Sequence, residues 1–196
     1  SHSNDVLIGS QAGMNVIGND NTFVGHSAGK YVSSAGNNVA IGREAYRGAS
    51  SGSTPSGSFN VAVGNYALDA STTGASNTAI GYQAGTALDT GADNVLVGRA
   101  AGAALNNENY NVAIGNYALT TDASSGKCVA IGYEALKVQN TANSNNVAIG
   151  YQAGVALDGG TDSVYVGFLA GGVGAITGDD NVCIGKSAGQ ALVAGH

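Results

Sequence analysis

A three-residue apolar run ending on glycine recurs along the whole chain. In the copy Asn146, Val147, Ala148, Ile149, Gly150 the glycine is an anchor that returns at Gly9, Gly25, Gly42, Gly64, Gly81, Gly98, Gly115, Gly132, Gly150, Gly167 and Gly185. The copies lie mostly 17 or 18 residues apart. A fixed short period predicts a solenoid, in which each unit is one coil that buries its apolar face against its neighbours. The expected fold class is all-β: a parallel β-roll of about eleven 17-residue coils, one continuous domain over residues 4–196.

The slots around the anchor translate into structural demands. The residue just before the glycine is Ile or Val in every copy, and three before it stands Val, except at Thr22 and Thr78. These two slots share one face of a short strand, and β-branched side chains suit it, so this face is expected to fill the coil. The slot between them points the other way and is apolar too, as in Leu7 and Cys183 at the two ends. Strands apolar on both faces need cover on both. A stripe repeating once per coil is most simply covered by the same stripe of another copy, which predicts a symmetric homo-oligomer. Phe23, Ala40, Ala62, Ala79, Leu96, Ala113, Ala130, Ala148 and Tyr165 would then line its axis, a trimer axis on the resemblance given below, with Phe23, Leu96 and Tyr165 as larger plugs. The alternative is that a second sheet of the same chain covers this stripe.

Past the anchor, the third residue is always Ala, which together with a glycine suited to positive φ predicts a tight corner. Beyond it the coils are of two kinds. Some carry Gly next and an aliphatic three residues on, as in Val32, Leu88, Leu105, Leu157 and Leu192; others place Tyr46, Leu68, Leu119 or Leu136 directly after the alanine. Both kinds are expected to fill one interior slot from two backbone positions, with an extended segment returning across the coil. Asn opens the strand in eight copies, predicting a stacked amide row. The insertion Ser50, Ser51, Gly52, Ser53, Thr54, Pro55, Ser56, Gly57 reads as a surface loop.

Composition narrows the function classes. The chain has 196 residues, 32 glycines, 10% charged residues and a net charge of −6, so no basic footprint for nucleic acid is expected. No apolar run approaches the ~20 residues of a membrane span, so no membrane insertion is expected of this stretch. Ser1, His2 and Ser3 read as a cloning scar, and flanking domains are expected beyond the repeats. Cys128 and Cys183 occupy different slots three coils apart, beyond disulfide reach, and are expected to be free thiols.

The motif Asn-x-Ala-(Ile or Val)-Gly-x-x-Ala resembles the head repeats of YadA-like trimeric autotransporter adhesins, and is similar to repeats of many bacteriophage tail-fibre proteins, over nearly the entire chain. The resemblance implies a left-handed β-roll, a homotrimer and an extracellular place on a virion tail fibre or a bacterial cell surface. Adhesin heads carry shorter repeats, which tilts the likeness towards the phage type.

Candidate chemistry is sparse. His26 sits in a solvated corner slot, and no Ser/His/Asp order, phosphate loop or zinc spacing is present, so no catalytic or cofactor residue is expected. Polysaccharide cleavage at a subunit groove would require an acidic pair there. Asp20, Asp93, Asp162 and Asp180 recur five residues before an anchor, with Asp89, Asp158 and Asp179 nearby, which raises calcium as a possible ligand; the calcium-binding nonapeptide is absent. The slots just after the anchors hold Tyr82, Tyr133, Tyr151 and Phe168, with Tyr66 and Tyr117 one further and Glu44, Gln83, Glu134 and Gln152 alongside. Such an outward aromatic ladder is the candidate receptor-binding surface for a host glycan or protein, through stacking on sugar rings; the alternative packs these rings between subunits. The expected function is a non-enzymatic attachment fibre, with a spacer rod that binds nothing as the alternative.

Overall fold

A computed structural model describes residues 4–49, 55–121, 126–139 and 144–192. The expected cloning scar and most of the expected insertion loop, Ser50 to Thr54, lie outside these; of that loop Pro55, Ser56 and Gly57 are described, and Pro55 is buried. The described residues contain strands and turns and no helix. The strands are β1 (Val6–Ile8), β2 (Thr22–Val24), β3 (Val39–Ile41), β4 (Val61–Val63), β5 (Thr78–Ile80), β6 (Val95–Val97), β7 (Val112–Ile114), β8 (Val129–Ile131), β9 (Val138–Gln139), β10 (Val147–Ile149), β11 (Ala156–Leu157), β12 (Val164–Val166) and β13 (Val182–Ile184).

All the three-residue strands form one parallel sheet in chain order, from β1 to β8 and on through β10 and β12 to β13. The register is that of the repeat: Val147 pairs with Val129 and Val164, Ala148 with Ala130 and Tyr165. Only a solenoid brings sequential parallel strands side by side without long crossovers, so the molecule is a parallel β-solenoid of roughly 17-residue coils. On the return path β9 pairs with β11 and Leu157 bridges to Ile176, a fragment of the expected second strand.

The inside and outside of the coil are the reverse of the sequence expectation. Ala148 is wholly buried within one chain while Ile149 beside it is 39% exposed, and the same holds along the sheet. Phe23, Ala40, Ala62, Ala79, Leu96, Ala113, Ala130, Ala148 and Tyr165 point into the coil and form its core, so they do not line an axis between copies. Their cover is the rest of the same coil, so it comes from the same chain as the alternative held, but mostly from turn segments and not from a second sheet; among the described residues the return path pairs as strands at β9 and β11, with a bridge from Leu157 to Ile176. The reason is space. One central strand residue and one residue after the corner share each coil's narrow lumen, and Val or Ile at both flanking slots would overfill it.

The core is filled by exchange between two slots. Coils with a bulky central residue have Gly after the corner alanine: Leu7 with Gly13, Phe23 with Gly29, Leu96 with Gly102, Tyr165 with Gly171. A methyl group added at Gly29 would lie 2.4 Å from the Phe23 ring, and one at Gly102 2.7 Å from Leu96. Four of the coils with a central alanine carry the bulk at the second slot, Ala40 with Tyr46, Ala62 with Leu68, Ala113 with Leu119 and Ala130 with Leu136, all buried; in the other two, Ala79 with Gly85 and Ala148 with Gly154, the room is taken by bulky residues of the neighbouring coils, Leu68 and Leu96, and Leu136 and Tyr165. The aliphatics three residues past the glycine that follows the corner alanine, Val32, Leu88, Leu105 and Leu157, are buried in the same core, so the lumen is filled from three backbone positions, the strand centre among them, and not from the expected two.

Two further expectations hold. Anchor glycines adopt φ from +122° to +140°, and the alanine three residues on is buried from Ala28 through Ala170. The asparagine row is a buried ladder: Asn77 Oδ1 accepts the Asn94 backbone N–H at 3.0 Å, and Asn77 Nδ2 donates to Gly91 C=O at 2.8 Å, closing the turn of the next coil. The pattern runs from Asn21 to Asn111, whose Oδ1 accepts the N–H of Cys128; Asn146 resumes it. Both cysteines are buried and apart from each other, and the Cys128 thiol lies 3.0 Å from Ser144 Oγ.

Candidate ligand-binding row at the coil corner

Each anchor glycine starts a four-residue turn closed by the alanine N–H on the glycine C=O, as in Ala153 to Gly150 at 3.3 Å. Its third residue has positive φ in every coil, for example Glu134 at +53° and Gln152 at +51°, as a type II turn requires. Non-glycine residues tolerate this because their N–H reaches the neighbouring coil: Gln152 N–H donates to Tyr133 C=O and Leu169 N–H to Tyr151 C=O. The residue directly after the anchor is thus held by its turn and by a bond to the next coil. Its side chain projects outward in register with its neighbours, one per coil.

The aromatic residues expected in this slot are brought together. Tyr133 stacks on Tyr151 at 5.2 Å between centroids, and Tyr151 on Phe168 at 5.3 Å, with planes within 13° of parallel. Tyr117 meets Tyr133 edge-on at 6.2 Å, and Tyr66 meets Tyr82 likewise at 6.1 Å. Tyr82, Tyr133, Tyr151 and Phe168 are 40–46% exposed. Since the stacked rings cover one another's faces, what they offer the solvent is ring edges and, on the tyrosines, hydroxyl groups. Stacking of a sugar on these faces, as the sequence suggested, has no open face within the stack to use.

Three cations that sequence reading did not single out complete the row. Arg43 lies over Tyr66 at 5.7 Å, Arg99 over Tyr82 at 5.9 Å and Tyr117 at 5.4 Å, and Lys186 over Phe168 at 5.9 Å. Ring and cation contacts therefore run unbroken from Arg43 to Lys186 across nine coils. The signal was their shared slot, directly after Gly42, Gly98 and Gly185. Asn65 and Asn116 occupy the same slot in intervening coils and turn back to accept the backbone N–H of Arg43 and Arg99. The carboxylates beside the row are neutralised. Glu44 pairs with Arg43 and Arg47, and Asp69 with Arg47. Glu134 accepts hydrogen bonds from Lys137 at 2.8 Å and Gln152 at 2.7 Å, which hold its carboxyl below the usual range.

Charge is divided across the coil. Six of the seven basic residues and three of the thirteen acids lie within five residues after an anchor, a local charge of +3; the remainder of the chain carries −9. The acidic side includes the aspartates considered for calcium. Asp20, Asp93, Asp162 and Asp180 are exposed turn residues with φ between +54° and +62°, a conformation that aspartate tolerates better than most. Asp20 accepts Asn4 Nδ2 and Asp162 accepts Asn145 Nδ2 from the adjacent coil. Among the described residues no group of three or more His, Cys, Asp or Glu could hold a metal ion. No described helix is long and apolar enough to cross a membrane.

No family model, no curated protein and no solved structure matches the chain.

Proposed function

We propose that the chain is a non-enzymatic rod that works as a homotrimer and forms the head or shaft of an extracellular attachment fibre, on a virion tail or a bacterial surface. The observation that carries this reading is the outer face of the sheet. Its two rows, before and three before each anchor, hold only Val and Ile apart from Thr22 and Thr78, with no charge anywhere. Ile41, Ile80, Val95, Ile114 and Ile149 are exposed within a single chain. A water-facing sheet surface should alternate to polar side chains. This one instead forms an apolar band roughly 50 Å long at the ~4.8 Å strand spacing. Two such rows about 7 Å apart, with the width of their side chains, cover on the order of 500 Å², near the upper end of the ~300–600 Å² of the largest patch on a monomer. A band of this length, repeating once per coil, matches another copy of itself coil for coil. The number three follows the resemblance of the repeat.

The test is a pair of charges in the band. Val112→Glu with Ile114→Glu adds no bulk to the lumen, because both side chains point out. The variant is expected to keep its β-sheet circular dichroism and to elute as single chains. A variant that stays assembled would remove this face from the interface.

A further inference from the structure

We infer that the corner row of Arg43, Tyr82, Arg99, Tyr133, Tyr151 and Lys186 is a linear binding site for an acidic polysaccharide. The inference rests on the attachment reading and names the chemistry of its receptor.

Four observations carry it. The rings stand edge-outward, and an aromatic edge is the positive pole of the ring quadrupole, so the exposed part of the stack favours anions over cations. Arg43, Arg99 and Lys186 sit at both ends and in the middle of that row, held over ring faces at 5.4–5.9 Å and exposed to solvent. The slot contains no carboxylate, and Glu134 next to it is paired with Lys137; Glu44, shared by Arg43 and Arg47, offsets part of the charge at the Arg43 end, so Arg99 and Lys186 carry most of the row's positive charge. Finally, a chain of net charge −6 gathers +3 on this edge, so an anion approaching the rod is steered to it and away from the aspartate side.

The shape of the site selects the polymer. From Arg43 to Lys186 the row spans eight coil spacings, about 38 Å at ~4.8 Å each, too long for a single small anion to use. Single-stranded nucleic acid is also anionic and linear, but its affinity comes from bases laid on open aromatic faces, and the stacked faces of Tyr133, Tyr151 and Phe168 are occupied by each other. A polysaccharide with carboxylate or sulfate groups needs only cations for its charges and hydroxyl partners for its own hydroxyls. The row supplies both.

The experiment measures retention of the assembled protein on immobilised polygalacturonate, dextran sulfate, uncharged dextran and single-stranded DNA. Binding to one or both acidic polysaccharides, weakened by added salt and absent on dextran, is expected; which polymer is held tells carboxylate from sulfate recognition. Replacing Arg43, Arg99 and Lys186 together by Ala should weaken that binding about tenfold or more, the loss of three partly screened charged contacts. Tyr133→Phe with Tyr151→Phe keeps the stack, as Phe168 already does, and should weaken binding about threefold through lost hydroxyl partners. Retention on dextran alone, or preference for DNA, would overturn the inference and leave the attachment reading standing. Retention on no polymer would overturn the inference too, and the attachment reading, which also admits a protein receptor, would stand on its own test. If the triple alanine variant changed the number of chains in the assembly, the row would be a seam between copies, and the inference would fail on that result as well.

Discussion

Ala113→Leu is expected to destabilise the rod by about 1–3 kcal/mol, and Leu119→Gly by about 3–5 kcal/mol, while the two changes together recover most of the loss. The first overfills a closed lumen and the second empties it. Together they reproduce two slots of the adjacent coil, where Leu96 stands at the strand centre and Gly102 after the corner; Leu105, buried three residues past that glycine, has Asp122 at its place in the sequence of the altered coil. The site is suitable because a bulky central residue also needs room on the preceding coil: a methyl group at Gly85 would lie 2.7 Å from Leu96. The coil preceding Ala113 already offers Gly102 at that place. Leu119 also holds a φ of +51°, which glycine relieves. Denaturant melts of the four proteins in a double-mutant cycle give the coupling, expected at about 2 kcal/mol or more in favour of the pair. Additive losses would mean that the two side chains do not share one lumen.

Gly150→Ala is expected to prevent folding or to cost more than about 3 kcal/mol, whereas Gly159→Ala should cost about 1–3 kcal/mol. Both glycines have positive φ, +137° and +109°, so both substitutions strain the backbone. They differ in space. A Cβ on Gly150 would lie 2.5 Å from the carbonyl oxygen of Gly167, whereas one on Gly159 meets nothing within 4 Å. The Gly150 methyl group would push apart the coils joined by the Gly167 N–H to Ile149 C=O bond, 2.8 Å long. Thermal melts followed by circular dichroism separate the two. Equal losses would assign the whole demand for glycine to φ and none to coil stacking.

The period and the parallel stack were legible because one residue pattern serves all the coils. Asn77 and Gly150 each repeat a demand that the backbone makes once per coil, and repetition exposes it. The direction of the strand faces does not follow from hydrophobicity alone, which ranks Val147 and Ile149 above Ala148 and so points to the outer face as the inside. The true sign was volume compensation, Phe23 with Gly29 against Ala40 with Tyr46, which only groups sharing one lumen would show. Outward Val and Ile then report on a surface that another molecule covers, something a single coil's packing cannot reveal. At the corner, the succession Tyr133, Tyr151, Phe168 was legible from spacing. That their faces are spent on each other was not, since it depends on side-chain rotation. Arg99 carried no signal of its own, because a lone arginine at a corner slot reads as an ordinary solvated residue until its rings, one coil to either side, are placed around it.

The central claim is that the Val and Ile face does not meet water. It is tested most directly by light scattering on the native chain as it leaves a sizing column. One species of three 19.1 kDa chains, about 57 kDa, is expected. A folded species with the mass of one chain, stable with Ile114 and Ile149 in solvent, would contradict it.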